Sequence, residues 1–199
     1  MAYETELRFM QSAFEKSHLQ LLLMEYRSLR YELLDRQLRL HLDISADYEL
    51  VFGNILQMIH QNVIYKLTDQ FLCTYLFMIP PHLPGSVLFV GPFLHVDLSQ
   101  QQIFEQMEKN GISPQHSRLM QDYYATLPVL DNRSPLFDML EAYANMIWGG
   151  SDNYTVVDLN QELAAGVSPI LRTSASPPRP TRSCRTCSWW KSATPSKTS

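Results

Sequence analysis

Six histidines, three cysteines and a few paired carboxylates are what this chain offers for chemistry. His18, His41, His60, His82, His95 and His116 include no pair at the spacing that turns two imidazoles of one helix toward a metal. His60, beside a β-rich run, and His95, just past a Gly-Pro step, read as part-buried structural histidines. Cys184 and Cys187 form a C-x-x-C but lack the strand-to-helix setting of a redox pair and the second ligand pair of a zinc site. Asp43 and Asp47 fall on surface segments. The chain contains no glycine-rich phosphate loop, no G-x-S-x-G and no H-E-x-x-H. The expectation is a non-enzyme without metal or cofactor. What remains is a set of aromatic and aliphatic residues on β-rich runs: Tyr65, Leu67, Tyr75, Phe77, Phe89 and Phe93. Tyr65, Tyr75, Phe89 and Phe93 are the candidate ligand-binding residues, enclosing an apolar molecule with a few hydroxyl contacts. The same rings could equally fill a dry core.

Those rings need strands to hold them. Val63 to Thr68 is β-rich, Asp69-Gln70 is a turn, and Phe71 to Ile79 is an aromatic and β-branched run, which predicts a hairpin. Pro80 to Gly85 must loop out, and Ser86 to Phe93 predicts a further strand. Upstream, the first Gly is Gly53 and the first Pro is Pro80, so the opening third reads as helical. Leu7, Met10, Phe14, His18, Leu21 and Leu22 make one apolar stripe, and Leu29, Leu33 and Leu34 start a second. A third helix is expected from Ala46-Asp47 through Leu50, Val51, Ile55, Met58 and Ile59. Downstream, Ser99 with Gln102 is a capping box, and Asn110-Gly111 a left-handed stop. Ser113-Pro114 and Ser134-Pro135 each place a capping serine before a first-turn proline, and Gly149-Gly150 closes the last helix.

Charge divides the chain. Residues 1–170 hold 10 basic and all 20 acidic residues, a formal charge of −10, while Leu171 to Ser199 carries six Lys and Arg and no acid. A body so negative repels phosphate, so it is a poor nucleic-acid binder. Roughly 165 residues bury about 70% of the unfolded surface, enough to need no disulfide or metal. Sparse cysteines, an N-terminus without a signal-peptide pattern and no long apolar run predict a cytoplasmic protein with no membrane association. The last 29 residues, with 7 Ser, 5 Thr and 4 Pro, have no structural period. Tryptophan has a single codon, so Ser188-Trp189-Trp190-Lys191 re-read from the last serine base must contain Val-Glu. Synonymous choices allow Glu-Arg-Tyr-Ala to follow. The expectation is therefore a frame-shifted tail, the alternative a disordered native one.

The run Val63 to Phe71, with Tyr75, Ile79-Pro80 and Leu88 to Phe93, resembles the N-terminal region of a group of AraC-family transcription regulators from Gram-positive bacteria. Tyr123-Tyr124, Leu127-Pro128, Ile147-Trp148-Gly149 and Asp152 to Thr155 carry the same likeness. It spans about residues 50–160 and includes no catalytic motif. The resemblance implies an α+β fold, a small antiparallel PAS- or GAF-like sheet with N-terminal and C-terminal helices. It implies a sensory and dimerisation domain over residues 1–165, with residues 166–199 the tail. On this reading the chain is a homodimer that binds a small-molecule effector and stops short of its DNA-binding domain, reaching DNA only through that missing part. It would not bind DNA specifically itself, and it has no family site residue to transfer. The alternative is a free-standing interaction module of PAS or GAF type.

Overall fold

A computed structural model describes residues 3–131 and 133–164. Helix α1 (Glu4–Lys16) leads into strand β1 (Leu21–Glu25). Short turns at Tyr26–Ser28 and Tyr31–Leu33 follow, then α2 (Leu38–His41), a π-helical turn at Glu49–Gly53 and α3 (Asn54–Leu56). The meander β2 (Val63–Thr68), β3 (Thr74–Met78) and β4 (Ser86–Phe93) comes next. Helices α4 (Gln100–Lys109), α5 (Ser117–Thr126) and α6 (Pro135–Trp148), strand β5 (Thr155–Asp158) and α7 (Leu159–Ala164) complete the described chain. The frame-shift expectation and Cys184-x-x-Cys187 lie outside the described residues.

The strands form one sheet in the order β1-β4-β3-β2-β5. The fold is α+β, but the sheet is mixed, because β5 runs parallel to β2, pairing Val63 with Thr155 and Lys66 with Asp158. Alternation along the strands feeds two cores, one per face. Tyr65, Leu67, Tyr75, Phe77 and Phe89 point to the face covered by residues 34–59, α4 and α5. Ile64, Leu76, Met78, Leu88 and Val90 point to the face covered by α1 and α6.

The N-terminal third differs most from expectation. Its single long stripe breaks at His18, whose φ is +57°. The Leu19 N–H bonds to the Phe14 carbonyl at 2.9 Å and the His18 N–H to Glu15 at 3.0 Å, while Leu19 and Phe14 are buried in the same core. This is the two-bond left-handed helix stop usually built on glycine, here built on histidine. Leu21 and Leu22 therefore belong to a strand, held by pairing with Val90 and Phe89 of β4 despite their helical propensity. Leu29 and Leu34 follow the two short turns, Leu33 ends the second, and α2 is only four residues long, so no second long helix forms. The expected third helix forms over residues 47–56, with a π-helical middle at Glu49–Gly53, and ends before Met58 and Ile59.

Downstream the local signals hold. The Ser99 hydroxyl accepts the Gln102 N–H at 3.3 Å, and the Gln102 side chain accepts the Ser99 N–H at 2.9 Å. Gly111 and Gly149 take the left-handed stops at φ +66° and +78°. Ser134 caps α6 through the Leu136 N–H. Ser113 makes no side-chain cap, because Pro114–His116 form a 3-10 turn before α5.

Candidate functional site

The four sequence-picked aromatics do not line one site. Tyr75 and Phe89 are adjacent, with ring centroids 5.6 Å apart, and Phe77 lies 5.2 Å from Phe89. Phe52 closes over them, edge-on to Tyr75 at 5.2 Å. Tyr65 shares this core, and its hydroxyl accepts the His60 N–H at 3.2 Å. Phe93 lies on the opposite face, 5.5 Å from Phe137 of α6. Four residues apart on a regular strand, Phe89 and Phe93 would share a face. The ladder instead passes from Leu76 opposite Val90 to Thr74 opposite Phe93, so β4 carries one extra residue there. That bulge, with Gly91 at φ +134° and close to the Thr74 carbonyl, turns Phe93 over.

Beneath the aromatic layer lies a charge cluster. Asp35 lies in the turn before α2 and Arg39 in α2, four residues on, and Arg39 Nη1 donates to Asp35 Oδ2 at 2.9 Å. Arg39 Nη2 donates to Asp69 Oδ2 at 2.7 Å, and all three side chains are buried. Asp69 sits in the turn between β2 and β3, where its Oδ1 accepts the N–H groups of Phe71 at 2.9 Å and Cys73 at 3.0 Å. The hydroxyl of Tyr75 donates to Asp69 at 3.1 Å and that of Tyr48 to Asp35 at 2.8 Å. The guanidinium carbon lies over the rings of Phe71 and Phe52, 5.0 and 5.3 Å from their centroids.

Two carboxylates around one guanidinium leave a formal negative charge, which two phenols and two backbone N–H groups spread. Burial by itself lowers Arg39, but Asp69, Tyr75 and Asp35 more than offset it, so the guanidinium holds its proton tightly. Burial pushes the Asp69 carboxyl up, against the pull of Arg39 and the two N–H groups. Burial and then Asp69 push the phenol of Tyr75 and the thiol of Cys73 well above their ordinary values. Phenols and thiol therefore stay neutral, as donors and packing groups. Sequence reasoning missed Asp35, Arg39 and Asp69; their only signal was an Asp–Arg pair at four-residue spacing and an acidic turn residue, both ordinary on a surface.

The surface offers a second feature. Between α1 and α6 lies an apolar hollow of about 470 Å³, lined by Met10, Met139, Ala142, Tyr143 and Met146 with Phe9 at its rim. Phe9 is 70% exposed and Met146 36%. Burial and then Glu6 push the Tyr143 phenol up to about 12. Among the described residues, no group of His, Cys, Asp and Glu could hold a metal, and no helix is long and apolar enough to cross a membrane. No family model, curated protein or solved structure matches the chain.

Proposed function

We propose that the described domain is the sensing and dimerising half of a transcription regulator of AraC type, and that it self-associates through α1 and α6. The observation that carries this reading is the seam between those helices, where Phe9 stands beside a hollow on the same face. A two-fold interface needs a self-complementary surface, and a knob next to its hole lets each copy fill the other. Leu29, Tyr31 and Leu34 pack in the opposite core, so α6 joins α1 in the interface.

On this reading the regulator's effector is a small apolar molecule that enters between the sheet and residues 34–59, displacing Phe52 from Tyr75 and Phe77. Its output passes to a DNA-binding domain. Sedimentation equilibrium of the wild-type chain and Phe9→Glu tests the reading. A dimer at tens of micromolar that becomes a monomer on substitution supports it, and a wild-type monomer overturns it.

A further inference from the structure

One edge of the sheet is unpaired among the described residues. There strand β1 pairs only with β4, and its sequence Leu-Leu-Leu-Met-Glu holds no Lys or Pro to discourage another strand. The direction of its backbone groups follows from its two ends. The Gln20 carbonyl accepts the Gly91 N–H at 3.0 Å, and the Tyr26 N–H donates to the Gly85 carbonyl at 3.0 Å. Antiparallel alternation then aims the even-numbered residues between them at β4 and turns the N–H and C=O groups of Leu21, Leu23 and Glu25 outward. None of those outward groups has a hydrogen-bond partner among the described residues.

A wall stands beside this edge. Two hollows of about 400 and 420 Å³ lie between α1 and β1, and Gln11 and Leu21 line both, which makes them one slot along the strand. Its floor is apolar, from Leu7, Leu21, Leu23 and Leu83, and Leu23 is 42% exposed. The cations at the slot are already engaged. Arg8 pairs with Glu4 at 2.7 Å, and Arg36 donates to the carbonyls of Thr126 and His18. Glu15 and Glu25 make no ion pair among the described residues.

We propose that this slot binds an extended peptide of another protein, which adds a sixth strand beside β1. Leu21, Leu23 and Glu25 supply the main-chain hydrogen bonds, an apolar side chain enters between Leu7, Leu23 and Leu83, and Lys or Arg residues face Glu15 and Glu25. Charge selects this occupant over a second copy. Two β1 edges joined about a two-fold would bring together the glutamates of two bodies that each carry −10 over residues 1–170. This site lies on another face of α1 from the α1/α6 seam and does not rest on the dimer reading.

The probe is a blocked, fluorescent hexapeptide of alternating Lys and Leu, titrated into the full chain by anisotropy, with amide exchange read at Leu21, Leu23 and Glu25. Saturable binding with slowed exchange at these three amides is expected, along with a loss of about tenfold or more when Glu replaces Lys in the peptide. Leu23→Pro removes an outward donor that β4 does not use, so the ladder survives while binding is lost. Glu15→Arg with Glu25→Arg, which leaves the backbone untouched, should reverse the charge preference. Absence of binding, equal binding of the acidic peptide, or unchanged preference in the double variant overturns the proposal. So does protection of the three amides without peptide, whether it grows with protein concentration, marking a second copy, or does not, marking a segment of the same chain.

Discussion

The two faces of the sheet solve the same burial problem differently. The face under α1 and α6 is an apolar core in which Leu76, Leu88, Phe137 and Leu140 pack with no buried charge among the described residues. The face under residues 34–59 buries Asp35, Arg39 and Asp69 within its aromatic layer. An apolar core tolerates change in proportion to the volume removed, whereas a charge cluster holds only while every member is present. The cluster also joins distant parts of the chain, since Asp69 belongs to the β2–β3 turn and Asp35, Arg39 and Tyr48 to the segment that covers the sheet. That segment is ordered by short helices, one of them π-distorted, and the directional cluster ties it to the sheet, where α1 and α6 cover the other face by helix packing alone.

Arg39→Met should have the largest effect. It fills similar space but leaves two carboxylates buried together, at a cost of about 3–5 kcal/mol near neutral pH. The loss should shrink on acidification, because protonation relieves the uncompensated charge. Leu140→Ala on the other face should cost about 2–5 kcal/mol with no such pH dependence in the difference. Urea unfolding of both variants across pH checks this. If the two depend on pH alike, the contrast between the faces is broken.

Gly91→Ala probes the point where the faces exchange a residue. An added Cβ would lie 2.8 Å from the Thr74 carbonyl oxygen, at a φ of +134° that side chains rarely adopt. A loss of about 1–3 kcal/mol is expected, with the ring of Phe93 disturbed more than that of Phe89. Thermal unfolding measures the first and aromatic NMR shifts the second. An unperturbed Phe93 would mean that the bulge does not depend on glycine.

The parts legible in the sequence were those written in local chemistry. The meander from Val63 to Phe93 followed from β-branched and aromatic runs between turn residues, and the stops at Gly111 and Gly149 and the cap at Ser99 from single residues with one conformational role. His18 was illegible because a left-handed stop was sought at glycine, and one missed stop turned β1 into helix. Strand β5 was missed because four residues, Thr155–Asp158, become a strand only through parallel pairing with distant β2. The aromatic set was legible as residues but not as a site. The bulge that separates Phe93 from Phe89, and the Arg39 cluster below the rings, both depend on contacts far apart in sequence.

The smallest expected effect lies at the margin of the apolar face. His95 sits 5.4 Å from the ring of Phe93, with Nδ1 3.3 Å from the Leu130 carbonyl. Burial and then Lys66 lower its pKa below the ordinary value. His82 is lowered too, by burial. A histidine whose folded pKa lies below its unfolded value of about 6.5 binds protons better when unfolded. Its neutral form therefore favours folding above that value, and this contribution is lost as pH falls through the folded pKa. Lowering the pH from neutral to about 5 should thus weaken the fold, and His95→Gln should reduce the slope by under about 1 kcal/mol over that window. Urea midpoints at the two pH values for wild type and variant decide it. A slope that His95→Gln leaves intact would assign the acid sensitivity to His82 or to the carboxylates, and would make the apolar face pH-indifferent in contrast to the charged one.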